Sequence, residues 1–245
     1  MRPIVVIPTR LGSTRLPGKA LCQIAGEPMI VHVWRRALEA DLGPVLVACG
    51  DAQIRDVIRA AGGTAILTDP KLPTGSDRVQ AALALTDPSR SFDTVVVLQG
   101  DLPTVDPAVL RATLPPLDEP EVSIATLATE ITDPRELQAP QVVKIALAIR
   151  SPSRSGRALY FSRAVIPGGA GPHYHHVGLY TYRRAALDRY VALPRGVLEM
   201  RENLEQLRAL EHGMRIDAAL IEAEPLGVDT LADLERARSL LTATR

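Results

Sequence analysis

Short β-branched runs alternate with stretches of helical period along the first hundred residues. Val5 to Ile7, Val45 to Ala48, Ala65 to Leu67 and Thr94 to Leu98 are continuous apolar runs, each ended by a Pro, Gly or Asp, as strands buried on both faces read. Between them, Ile30, Val33, Trp34, Ala37 and Leu38 recur at i, i+3, i+4, i+7 and i+8, and Ile54, Val57, Ile58 and Ala61 follow the same rule. These are two crossover helices; Pro28 sits where a first-turn proline is tolerated, and Gly62-Gly63 closes the second helix. The pattern predicts βαβαβαβ with a mostly parallel central sheet flanked by helices, a Rossmann-like α/β fold. The second half changes character. Extended candidates lie at Val122 to Ala128, Val143 to Ile149, Ala158 to Phe161 and Val177 to Tyr182, followed by one helix from Leu198 to His212 ended by Gly213 and another from Leu231 to Leu241. No linker or internal repeat cuts the chain, so residues 1–245 read as a single domain.

Composition narrows the class. A chain of 245 residues with 46% apolar content buries a sizeable core. Lys plus Arg total 28 and Asp plus Glu also 28, which gives no overall attraction to nucleic acid or to an anionic membrane. No apolar stretch approaches the ~20 residues of a membrane span, and MRPIVVIPTR enters a strand pattern without a signal-peptide core, so the expectation is a cytoplasmic protein. Cys22 and Cys49 have no CxxC spacing and read as reduced, partly buried thiols.

Charge matters locally. In open parallel sheets ligands bind beyond the carboxyl ends of the strands. Here those ends are Pro8-Thr9-Arg10, Gly50-Asp51, Thr68-Asp69 and Gln99-Gly100-Asp101. From Met1 to Gly26 the chain carries four cations, Arg2, Arg10, Arg15 and Lys19, and no carboxylate before Glu27. Gly12 and Gly18 let backbone approach a ligand closely, Ser13 and Thr14 add hydroxyls, and a polyphosphate is the natural guest. A solvated basic loop is the usual fate of any single Arg or Lys; three in one Gly-containing strand-end loop point to binding. A Walker loop is excluded, because Gly12 and Gly18 have five residues between them and Ala20 follows Lys19, and no GxGxxG follows a strand. Asp101, after a Gly that lets the strand end turn, offers the hard oxygen that Mg²⁺ prefers, with a turn carboxylate ahead of Pro103 as an equal alternative.

The run PTRLGSTRLPGKAL (Pro8 to Leu21) resembles the start of the CMP-sugar synthetases, and most closely the 3-deoxy-manno-octulosonate cytidylyltransferase (CMP-KDO synthetase) family. GEPMIVHVWRRA, TGSDRV, VVVLQGDLP, ALYFSRAVIP, HVGLYTYR, LEMRENLEQLR and GVDTLADLERAR are similar to further family blocks, in the family's order, so the likeness covers nearly the whole chain. The resemblance implies transfer of CMP from CTP to the anomeric hydroxyl of 3-deoxy-D-manno-octulosonate (KDO), with pyrophosphate released, for lipopolysaccharide biosynthesis. It implies a nucleotidyltransferase fold, Mg²⁺ held by Asp101 and Asp229, and a homodimer formed through the second half. A synthetase for another sugar acid, amino-substituted octulosonate or sialic-type, and a non-catalytic nucleotide-binding regulator are the alternatives; retention of Arg10, Lys19, Asp101 and Asp229 together argues against the regulator.

Arg10 and Lys19 supply the charge neutralisation that phosphoryl-type transfer needs. The implied CTP contacts are Thr9, Arg10, Ser13, Arg15, Lys19, Ser76 and Gln99, and the implied sugar contacts are Arg78, Gln99, Arg163, His176, Tyr180, Glu205 and Gln206. Without the resemblance, Asp229 reads as a turn or cap carboxylate before the last helix. Glu199, Glu202 and Glu205 interleave with Arg201 and Arg208 as i, i+3 pairs would, and Glu199 and Arg201 read as part of such a solvated helix face; His173, His175 and His176 read as a polar loop entering a strand, and Tyr160 and Phe161 as core. Leu102 stands where the family commonly has Glu, and Ser76-Asp77 where it commonly has Thr-Glu. The loop from Gly168 to His173 is shorter than in some relatives, and Gln141 takes a position often held by Asn.

Overall fold

An unbroken apolar run has to be covered on both faces, and in β1 (Pro3–Thr9) every residue from Ile4 to Thr9 is buried while parallel neighbours pair with both of its edges. The computed structural model describes residues 1–13, 15–149 and 152–243, so Thr14 lies outside the described residues. The chain divides into two units, Met1–Arg111 with Pro225–Arg245, and Ala112–Glu224.

In the first unit β1 is followed by a two-strand hairpin, β2 (Gln23–Ile24) and β3 (Glu27–Pro28), whose last residue is also the residue before α1 (Met29–Glu39). The rest alternates as the sequence pattern requires: β4 (Val45–Cys49), α2 (Ala52–Ala60), β5 (Thr64–Leu67), α3 (Gly75–Thr86), β6 (Thr94–Val97) and the short α4 (Pro107–Arg111). The strand order is β5-β4-β1-β6, every pair parallel. Helix α3 starts at a reciprocal cap: the Asp77 backbone N–H donates to the Thr74 hydroxyl oxygen, and the Thr74 N–H donates back to the Asp77 carboxylate.

The second unit holds β7 (Ile124–Glu130), α5 (Pro134–Gln138), β8 (Lys144–Ala148), β9 (Ser155–Ser162), β10 (Tyr174–Arg183), α6 (Arg184–Ala192), α7 (Val197–Glu202), α8 (Gln206–Glu211) and β11 (Ile216–Leu220). Its pairings run in a circuit, β10 to β7 to β11 to β9 to β8 and back to β10, all antiparallel except β7 with β11. The chain then returns to the first unit as α9 (Leu231–Ala243), where Val228, Leu234 and Ala237 pack against Ile24 and Met29. No helix among the described residues is long and apolar enough to cross a membrane.

Two expectations for the second unit are corrected. The helix expected over residues 198–212 is two helices, because Asn203 adopts a left-handed conformation (φ 54°, ψ 48°) that Asn tolerates better than most residues, and the Leu204 N–H closes α7 on Glu199 O. Glu199 does not face solvent. It is 1% exposed and takes a two-pronged hydrogen bond from buried Arg208, Nε to Oε2 at 2.8 Å and Nη2 to Oε1 at 2.6 Å, which folds α8 back onto α7. Arg201 is exposed as expected. Burial alone raises the Glu199 pKa, but Arg208, then the Gly196 N–H, outweigh it and hold the carboxyl below its ordinary value. Arg208→Leu is expected to cost roughly 2–3 kcal/mol in urea unfolding, short of a fully stranded buried charge because Arg195 still reaches Glu199 at 3.3 Å. A loss under ~0.5 kcal/mol, the range of an ordinary surface substitution, would return Glu199 to the role of a solvated residue.

Candidate functional site

The carboxyl ends of β1 and β6 and the start of α3 surround a cavity of about 230 Å³ in the first unit. Thr9, Arg10, Ser13, Lys19, Arg78, Gln99 and Asp101 line it, which brings together seven residues expected from sequence. Two glycines permit the geometry. Gly18 has φ +67° and turns the chain into the short 3-10 segment that carries Lys19. At Gly100 a Cβ would stand 3.0 Å from Thr9 Cβ and 3.1 Å from Pro8 O, so only glycine lets β6 end that close to β1 and deliver Asp101.

Lys19 sits at the centre of the charges. Its Nζ donates to Asp101 Oδ2 at 2.8 Å, to Val228 O at 2.8 Å and to Asp229 Oδ1 at 2.9 Å, which uses all three ammonium protons. Burial pulls the lysine pKa down, but Asp101 and then Asp229 outweigh it and hold it above the usual value, so this side chain remains a cation. Arg15 Nη2 reaches the other oxygen of Asp229 at 2.8 Å from a largely exposed position. Asp229 therefore joins the site from the far end of the chain, across 210 residues, because the segment after residue 225 returns to the first unit. Asp233, not Asp229, closes on Thr230 at the start of α9.

The remaining wall is cationic. Among the described residues Arg10 makes no ion pair. Arg78 is 2% exposed, and its Nη1 donates to the Thr68 hydroxyl oxygen at 2.5 Å and to Asp69 O at 3.2 Å. Its pKa is lowered by burial first and by the charge of Arg10 second, so two guanidiniums converge on the cavity. Asp51 anchors the loop from behind by accepting the Leu11 N–H at 2.8 Å. Ser76 lies in the first turn of α3 but does not line the cavity; its neighbours Leu72, Pro73, Thr74 and Gly75 do. Asp51 belongs to a strand end, and Thr74 and Gly75 to the TGSDRV block, that the sequence points to without giving them a site role; Leu72 and Pro73 carry no signal of their own, although the Thr-x-x-Asp spacing of Thr74 and Asp77 marks a helix start beside them.

The other expected sugar contacts lie in the second unit. Arg163, just beyond β9, donates from Nη1 to Pro140 O at 3.1 Å and from Nε to Glu202 O at 3.3 Å. His176, on β10, is buried and exchanges a 3.0 Å hydrogen bond with the Thr126 hydroxyl. Burial, and the neighbouring His175 less so, push its pKa down to about 3, so it meets any ligand as a neutral ring. Its ring packs between Phe161 and Tyr180, with centroids 4.8 and 5.6 Å away. Gln206 is buried at the start of α8, and Glu205 precedes it, its carbonyl taking the Tyr190 hydroxyl proton at 3.0 Å. Phe161 is fully buried, as expected, and His175 lies within β10 beside Glu224 at 3.2 Å.

Residues 4–216 match the family model described as cytidylyltransferase. The chain is 60% identical over 243 residues, 99% of each protein, to a 3-deoxy-manno-octulosonate cytidylyltransferase of Paramagnetospirillum magneticum. It is 59% identical to the protein of the same name in Rhodospirillum rubrum, over 98% of this chain and 95% of that one. It also matches, with a TM-score of 0.91, 37% identity and full coverage of both chains, the structure of a CMP:2-keto-3-deoxy-manno-octonic acid synthetase complexed with CTP.

Proposed function

The chain belongs to the cytidylyltransferase family, and we propose that it transfers CMP from CTP to the anomeric hydroxyl of KDO, giving CMP-KDO and pyrophosphate for lipopolysaccharide assembly. The sugar's anomeric oxygen bonds to the α-phosphorus and loses its proton, the bond from that phosphorus to the α,β-bridging oxygen breaks, and pyrophosphate departs. The observation that carries this reading is the first-unit cavity, in which Arg10, Lys19 and Arg78 face the space where a triphosphate would lie and Asp101 and Asp229 meet on Lys19.

Arg10 and Arg78 offer guanidinium donors to phosphate oxygens without first breaking an ion pair between themselves and a carboxylate. Lys19 differs, since all three of its protons are engaged; touching a phosphate oxygen requires it to leave at least one acceptor. Asp101 Oδ2, Asp229 Oδ1 and Val228 O already surround a cation at 2.8–2.9 Å, so the donor set is the all-oxygen kind that suits Mg²⁺. Bound there, Mg²⁺ would add positive charge against the triphosphate. Arg163, Tyr180, Glu205 and Gln206, with neutral His176, provide the donors and acceptors that a polyhydroxylated acid requires.

We assign homodimerisation to the second unit, where Leu159, Val165, Val197 and Met200 are exposed apolar side chains. The free thiols Cys22 and Cys49 suit the reducing cytoplasm. A pyrophosphate-release assay on the full chain with CTP, Mg²⁺ and a panel of sugar acids tests the reaction. Release is expected only when CTP, divalent metal and KDO are all present. Preference for a sialic-type or amino-substituted acid would move the acceptor, and CTP binding with no release from any acid would leave a regulator.

A further inference from the structure

A lysine ammonium withdrawn from water needs a counter-charge or a full set of acceptors. Lys144, the first residue of β8, is 0% exposed, and among the described residues it has no carboxylate partner. Its Nζ donates to two carbonyls, Val142 O at 2.7 Å and Ala139 O at 3.0 Å. Burial lowers its pKa, and the nearby charge of Arg163 lowers it further.

Both cations grip one turn. Lys144 holds it through Ala139 and Val142, while Arg163 Nη1 holds it through Pro140 O. The register places Lys144 opposite Ser162 on β9 and His175 on β10, so it is locked between the strands that lead to Arg163 and His176. The next carbonyl, Val143 O, accepts the His176 N–H at 2.8 Å. Glu202, the nearest carboxylate in these contacts, is engaged by the Ser162 hydroxyl, the Tyr160 hydroxyl and the Arg163 backbone N–H, which leaves the Arg163 guanidinium on neutral carbonyls. Among the described residues neither the Lys144 ammonium nor the Arg163 guanidinium donates to a carboxylate, and an incoming anion would relieve both.

We propose that Lys144 is a positioning residue for the acceptor: it locks the 139–142 turn, presents Arg163 to the carboxylate of the sugar acid, and through its unneutralised charge favours an acid there over a neutral group. This rests on the cytidylyltransferase reading of Arg163. A residue that only packed the core would not distinguish an acid from its amide.

The test uses the full chain, KDO and the C1 carboxamide of KDO as a competing ligand. Lys144→Met removes charge and both hydrogen bonds, Lys144→Gln keeps a donor without charge, and Lys144→Arg keeps the charge. With Met or Gln, KM for KDO is expected to rise about tenfold while kcat and the KM for CTP stay within about threefold. The wild type's preference for acid over carboxamide, read as a ratio of inhibition constants, should fall by about tenfold with Met or Gln and survive in Lys144→Arg. An unchanged ratio in whichever neutral variant folds overturns the proposal, as does equal weakening of both ligands. Wild-type protein that releases no pyrophosphate with any sugar acid would instead remove the reaction itself, a separate outcome from an active wild type whose ratio ignores Lys144.

Discussion

Asp101→Asn is expected to lower kcat by roughly a hundred- to a thousandfold while leaving circular dichroism and thermal unfolding nearly unchanged, the size of effect seen when one preorganised electrostatic group is lost from an active site. The side chain is 31% exposed and asparagine keeps its size and hydrogen-bonding capacity, so the fold should not register the change. Two consequences follow from the lost charge. Lys19 keeps only Asp229 as a charged acceptor, so its ammonium is less firmly held where the loop now places it. The oxygen set that fits Mg²⁺ drops from two carboxylates to one, so half-saturation by the metal should move to higher concentration. Turnover within a few-fold of wild type at saturating metal would show that Asp101 is neither ligand nor anchor.

The first unit was legible because β1, β4 and β6 are buried along nearly their whole length, whereas β5, at the sheet edge, buries only Ala65 and still shows as a short apolar run. β1, β4, β5 and β6 fall on the four apolar runs, since a continuous run of Val, Ile and Ala has no solvated alternative. β11 was missed because Ile216-Asp217-Ala218 contains a carboxylate, and its burial depends on Arg215, which clasps Asp217 with Nε at 2.8 Å and Nη2 at 3.0 Å. No strand pattern announces that pairing. Glu199 misled for the same reason: its partner Arg208 lies on the next helix, beyond a break at Asn203 that helical periodicity does not show. Lys144 falls within the extended candidate Val143 to Ile149, but nothing local reveals that two carbonyls will fold over its ammonium.

The site was half legible. Arg10 and Asp101 sit at strand ends and Lys19 in the Gly-containing loop that follows β1, where physics alone points. Asp229 was reached only through the family resemblance, because a contact across 210 residues depends on the return of the chain to the first unit. The sugar residues likewise came from resemblance, and the structure adds what holds them: Glu202 and Pro140 for Arg163, and Thr126 for His176.

Lys19→Ala separates a catalytic cation from a generic anion cradle. As the α-phosphorus is attacked, negative charge shifts towards the departing pyrophosphate, and a cation already placed there lowers the barrier more than it tightens binding. Lys19 is suited to this role, being 15% exposed, firmly protonated and held by three oxygens that it can exchange for phosphate. Loss of the ammonium should cut kcat about a hundredfold or more, with a smaller rise in the KM for CTP. The same substitution removes the cation that occupies Asp101 and Asp229, so in the absence of nucleotide the variant should bind Mn²⁺, read by electron paramagnetic resonance, more tightly than wild type. Arg15 is the control within the loop. Its pair with Asp229 is exposed to solvent on both sides, 66% and 42%, where an ion pair contributes little, so Arg15→Ala should raise the KM for CTP more than it lowers kcat. Equal, binding-only effects from Lys19→Ala, Arg10→Ala and Arg15→Ala would reduce the loop to an anion cradle. Mn²⁺ affinity unchanged by Lys19→Ala would mean that the ammonium does not compete for the two carboxylates.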